Sequence, residues 1–176
     1  IQAYRYYAEG IQFHERGLSD QAAPLLERAV EIDPNFAMAY AKLAVVSSNL
    51  GLLNKRDEYA KQALARIDRL TTRERYYIEG FYYCLRPETV GRCIEAYKQG
   101  LALHPEHQAS RHNLGLAFLN LERLSESIEQ YEDLRRRGVS NPTTYENLVS
   151  AYIAAGDTTR ARQVAGEYVK RFPESG

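Results

Sequence analysis

Three histidines, His104, His107 and His112, lie within nine residues around Pro105. Imidazole is a common metal ligand, and turn or helical spacing could bring two of these rings to one ion. No cysteine or carboxylate reinforces them at ligand spacing, so they read as polar residues beside a helix-closing proline and the chain is expected to hold no metal. Cys84 and Cys93 fall on two different predicted helices. A disulfide is open to them, but Cys93 reads as a small core residue and the reduced pair is the expectation. Arg135, Arg136 and Arg137 could meet a phosphate, yet they end a predicted helix, where the helix dipole favours cations. There is no Gly-rich phosphate loop, no G-x-S-x-G, no H-E-x-x-H and no cysteine pair at metal spacing. The residues point away from an enzyme and imply no cofactor.

Composition narrows the classes further. Lys plus Arg and Asp plus Glu both number 23, which leaves no basic surplus for nucleic acid or an acidic membrane. Mean hydropathy is −0.51, and no apolar stretch approaches the 18 or so residues of a membrane span. Two cysteines and no signal-like start fit a reducing compartment, so the expected location is cytoplasmic. The chain begins at Ile1 and runs from one repeat to the end of another, which suggests a segment of a longer protein.

What must position these residues is a repeat. Tyr6, Tyr40, Tyr76, Arg111 and Tyr145 follow one another at 34, 36, 35 and 34 residues. Gly10, Ala44, Gly80, Gly115 and Val149 keep those intervals, as do Phe13, Ser47, Tyr83, Phe118 and Tyr152. A fixed period of this length means stacked supersecondary units. Apolar spacing near 3.6 predicts two helices per unit. The first pair is expected at about 3–16 and 19–32, the latter capped by Ser19 or Asp20. The second is expected near 36–50 and 54–69, the third near 72–85 and 88–103, and the fourth near 107–120 and 124–137. The fifth opens at Pro142 and breaks at Gly156-Asp157. Thr71 and Glu74 spell a capping box. The whole chain, residues 1–176, reads as one elongated domain with repeats at about 3–36, 37–72, 73–107, 108–141 and 142–175.

Several units carry small residues where two helices must nearly touch, with aromatics between. Examples are Gly10 with Ala22, Gly80 with Cys93, and Gly115 with Ser127. Asn113-Leu114-Gly115 with Phe118, and Asn147-Leu148 with Tyr152, repeat the same phrase. The chain resembles a tetratricopeptide repeat (TPR) array over nearly its full length. That resemblance implies an all-α, right-handed superhelical solenoid of about ten helices in antiparallel pairs, with a role in protein binding. The second unit departs from the pattern: Arg56 replaces a small residue, Ser47 replaces an aromatic, and the closing proline is absent. A local irregularity follows there, with a longer second helix.

In such arrays the first helix of each unit lines a concave groove. Projected onto this chain, the groove takes Tyr4, Tyr7, Ile11 and His14; Met38, Lys42, Val45 and Asn49; Tyr77, Ile78, Phe81 and Cys84; His112, Asn113, Leu116 and Asn120; and Asn147, Ser150 and Ile153. Such a surface is apolar and aromatic in its first three units and amide-rich in the last two, and suits a peptide. Asn113 and Asn147, one repeat apart, could each donate to and accept from a peptide backbone. The family's carboxylate clamp for chaperone tails is not matched, because its sites hold Tyr7, Ile11, Lys42, Glu74 and Ile78. The last helix presents Val164, Tyr168, Val169 and Phe172, an end face suited to further repeats or to end-to-end self-association. Two roles compete. The first is a module that binds a peptide segment of a protein partner in the groove, without membrane insertion. The second is a scaffold that oligomerises or positions other domains. Phrases such as Ala3-Tyr4-Arg5-Tyr6-Tyr7 and Asp33-Pro34-Asn35-Phe36 are similar to TPR regions of bacterial Ser/Thr kinases and transcriptional regulators, which adds weight to the second while the first stays the main reading.

Overall fold

The small-then-aromatic repeat folds as read: ten α-helices and no strand among the described residues. The computed structural model describes residues 1–138 and 141–173, so the expected end of the fifth repeat at residue 175 lies outside them. Contacts divide the chain into two compact units, Ile1–Pro87 and Glu88–Gly176. The dividing point falls between the two helices of the third predicted repeat.

The first unit holds α1 (Gln2–Glu15), α2 (Ser19–Ile32), α3 (Ala37–Asn49), α4 (Leu53–Leu64) and α5 (Thr72–Tyr83). Each packs against the next, and α3 also touches α1 and α5. Its core gathers Ala22, Leu26, Leu43 and Val46, with Tyr7, Phe13, Val30 and Tyr59 packed around them. A β-carbon on Gly10 would lie 2.9 Å from Leu26 Cγ, so the small residue is what lets α1 close on α2. The second unit holds α6 (Val90–Leu103), α7 (Gln108–Asn120), α8 (Leu124–Arg136), α9 (Pro142–Ala154) and α10 (Thr158–Arg171). Its core is Tyr131, Leu134, Tyr145, Leu148, Tyr152, Ala161 and Val164.

The turns repeat as faithfully as the cores. Leu18, Leu52, Arg123 and Asp157 donate their backbone N–H to the carbonyls of Phe13, Ser47, Phe118 and Tyr152, at 3.0, 2.8, 2.9 and 2.9 Å. This is the 6→1 bond of a Schellman cap, which needs a left-handed residue just before the donor. Gly17, Gly51 and Gly156 supply it with φ of 78°, 71° and 77°; Glu122 takes the same place at φ 56°.

Two expectations about helix ends are corrected. Helix α2 begins on Leu18 as N-cap with no side-chain cap, because Ser19 is already helical and buried, where its hydroxyl accepts from Asn49 Nδ2 at 3.3 Å. Helix α4 is not lengthened but ends at Leu64, and a 3₁₀ turn over Ile67–Arg69 takes up the extra residues. Without a closing proline the chain tightens: Arg66 turns back, donating to the Pro34 carbonyl at 2.6 Å and laying its guanidinium 4.7 Å from the Tyr40 ring centroid. The Thr71–Glu74 capping box forms, with Glu74 N–H donating to Thr71 Oγ1 and Thr71 N–H donating to Glu74 Oε2.

Candidate functional site: the first-helix faces of the two units

In the first unit α1, α3 and α5 bring the predicted groove residues together at three levels. Tyr4 is 65% exposed at the start of α1. Its ring lies 6.1 Å from that of Tyr7, which in turn meets Phe36 at 4.8 Å. Phe36, the residue before α3, was not among the predicted groove residues; it sits in a turn rather than at a repeat position. Burial, then the neighbouring Tyr77 and Glu74, push the Tyr7 hydroxyl well above its ordinary range, so it stays a neutral donor. Tyr77 and Ile78 are buried and present no free surface. Ile11, Met38, Val45 and Phe81 are half-buried, and Asn49 is exposed.

Lys42 is the one predicted groove cation. Its ammonium lies 5.6 Å from the Tyr77 ring centroid, and among the described residues no carboxylate pairs with it. Across from it on α1, His14 is half-buried and its Nδ1 is a buried atom with no hydrogen-bond partner. Burial, reinforced by the charge of Lys42, lowers the His14 pKa from 6.5 to about 4. The imidazole is therefore neutral in the folded protein at pH 7, and the unfolded chain binds the extra proton first. Its contribution to stability is complete above pH 6.5 and is lost as pH falls towards 4. Discounting for its partial exposure, we expect His14→Gln to remove about 1–2 kcal/mol of acid sensitivity over that window. Urea midpoints of both proteins across about pH 4–7 test this, and parallel curves would refute it.

In the second unit α7 and α9 carry the face. Asn113 Nδ2 donates to the Tyr97 hydroxyl at 3.1 Å, and Asn147 Nδ2 donates to the Tyr131 hydroxyl at 3.0 Å. Both pairs span 16 residues, one repeat apart. Each amide that could have gripped a peptide therefore spends a donor on the buried tyrosine of the preceding helix. The asparagines are clips within the stack first. The signal was present in the sequence as a tyrosine recurring 16 residues before each asparagine. His112 bonds through Nδ1 with Thr144 Oγ1 at 3.0 Å and stands edge-on to Tyr131 at 5.5 Å; burial lowers its pKa. What remains open is Leu116 at 37% and Ile153 at 60% exposure, with Asn120 and the Ser150 side chain also exposed. Ser150 itself donates to the Glu146 carbonyl.

The end face is partly consumed by its own repeat. Val164 is buried, and Tyr168 and Phe172 pack on Tyr145 at 6.5 and 5.6 Å, leaving Val169 exposed. The residues with other chemistry are engaged as well. His107 Nδ1 bonds with Ser110 Oγ at 2.7 Å, while His104 lies 3.8 Å from Glu106. Arg135 pairs with Glu132 and Glu167; Arg136 and Arg137 both pair with Asp133. Neither cysteine is free: Cys84 and Cys93 are both disulfide-bonded, against the reduced pair expected. No helix among the described residues is long and apolar enough to cross a membrane.

Two family models, both described as tetratricopeptide repeat, match residues 92–142 and 145–175. The type IV pilus assembly protein PilF of Pseudomonas aeruginosa is 30% identical over 173 residues, 97% of this chain; the chain spans 66% of that relative's length. The solved structure of P. aeruginosa PilF superposes with a TM-score of 0.59 at 26% identity, covering 99% of this chain and 77% of that one. A thermophilic TPR protein of Thermus thermophilus superposes with a TM-score of 0.76 at 20% identity, covering 98% of this chain and 93% of that one. The packing of small residues against aromatics, the repeated caps and these matches agree: the chain is a tetratricopeptide-repeat array, a fold that serves protein–protein interaction.

Proposed function

We propose that this chain is a non-catalytic module that binds a segment of a partner protein on the first-helix faces of its repeats, in a role related to type IV pilus assembly. The observation that carries the binding reading is the set of apolar side chains left open on those helices, Tyr4 on α1, Leu116 on α7 and Ile153 on α9. None of the three belongs to the core cluster of its own unit, so each is free to add apolar contact area to a bound segment. The pilus context comes from the relative's name alone. The bonded cysteines favour an oxidising compartment over the reducing one that the sequence suggested. The scaffold alternative has less support, since Tyr168 and Phe172 are spent on Tyr145 rather than held out for a neighbour.

The test is an affinity capture from cells that assemble pili, comparing the wild-type chain with a Tyr4→Ser/Leu116→Asp/Ile153→Asp variant. All three side chains are exposed, so the variant keeps its circular dichroism and melting midpoint. Pilus-assembly proteins retained by the wild type and reduced about tenfold or more with the variant are the expected result. Equal recovery by both proteins would remove the first-helix faces from the function.

A further inference from the structure

On α1, α3 and α5 of the first unit one Lys or Arg is half-buried rather than exposed. Lys42 is half-buried on the middle helix of three, its ammonium on the Tyr77 ring face, and no carboxylate among the described residues pairs with it. A partly desolvated ammonium gains most from a close anion, which the ring quadrupole replaces only in part. Beside it His14 Nδ1 is buried without a partner, a second polar atom that the fold does not satisfy. Buried polar atoms are almost always bonded, and an unbonded one beside an open helix face leaves a position that a bound segment can fill. Met38 and Val45 lie on α3 either side of Lys42, and both are half-buried apolar residues.

We propose that the α1–α3–α5 face docks an apolar segment of a partner protein through one internal Asp or Glu, whose carboxylate meets Lys42. The occupant follows from charge complementarity. One unpaired cation calls for one anion, and apolar surface on both sides calls for a chain that continues past it. A chain terminus would cover only one side, and a small free acid neither. The inference rests on the peptide-binding reading above and adds the residue that the segment must carry.

A displayed library of random peptides, about a dozen residues long and fused through their C-termini so that only side-chain carboxylates are offered, is panned on the full chain and on Lys42→Gln and Lys42→Arg. The wild type is expected to enrich Asp or Glu at one position flanked by apolar residues. Lys42→Arg keeps that preference. Lys42→Gln, folded by circular dichroism, loses it, and binds the selected synthetic peptide about tenfold more weakly, the effect of losing one charge-assisted bond. Peptides that bind without an acidic position, or an acidic preference that survives Lys42→Gln, overturn the carboxylate inference and leave peptide binding standing. Enrichment of no peptide at all overturns both. A parallel library displayed with free C-termini that alone yields binders would assign Lys42 to a chain terminus and refute the internal side chain.

Discussion

Tyr131→Ala is expected to destabilise the protein by about 3–5 kcal/mol and to lower the thermal midpoint by roughly 10 °C. Tyr131 is 0% exposed and sits at the centre of the second unit's core. Its ring fills the space above Gly115, takes the edge of His112, and its hydroxyl accepts from Asn147. Truncation removes a large apolar body, leaves a cavity between α7, α8 and α9, and strands the Asn147 donor. Because burial holds the phenol well above its ordinary pKa, no ionisation at accessible pH relieves the site. Tyr131→Phe separates the contributions: it keeps the ring and drops the acceptor, for about 1 kcal/mol. Urea unfolding followed by helical circular dichroism measures both. An alanine variant within about 1 kcal/mol of wild type would mean that the repeat interface is not where this unit's stability resides.

The same residue shows what the sequence could and could not reveal. Small residues and aromatics at a period near 34 imply helix pairs that touch, because only a missing side chain permits the approach and only a large one fills the next gap. Period and packing are two views of one constraint, so ten helices and most of their ends were legible. The exceptions have local causes. The longer α4 was inferred from the second unit's departures at Ser47 and Arg56 and its missing closing proline, whereas the chain closed a 3₁₀ turn and anchored Arg66 on Pro34 and Tyr40 instead. The candidate site was legible as a face but not as chemistry. Asn113 and Asn147 look like ligand-gripping amides until their tyrosine partners, a full helix away, are in view. Tyr77 is buried, and the reduced state expected of the cysteines gives way to a bonded one. Conversely, the unpaired state of Lys42 and the orphaned His14 Nδ1 depend on which side chains fail to arrive, and no spacing rule encodes an absence.

Gly115→Val is expected to cost about 3 kcal/mol, although glycine is a poor helix former and its replacement normally helps. An added β-carbon would lie 3.0 Å from Tyr131 Cζ and 3.1 and 3.2 Å from its two ε carbons. The ring cannot swing aside, since its hydroxyl is held by Asn147 and its edge by His112. Two further methyl groups deepen the clash, and the strain is relieved only by parting α7 from α8. That would also pull the Ser127 hydroxyl from the Gly115 carbonyl, a buried 2.9 Å bond. Gly166 is the internal control. It is exposed within α10, and an added β-carbon there meets nothing within 4 Å. Gly166→Ala therefore gains only the helix-propensity difference, a stabilisation of about 0.5–1 kcal/mol. The two glycines carry opposite signs for reasons that composition and helix propensity do not distinguish. Should Gly115→Val and Gly166→Ala shift the urea midpoint in the same direction, the close approach of α7 to the Tyr131 ring would not be what fixes a glycine at residue 115.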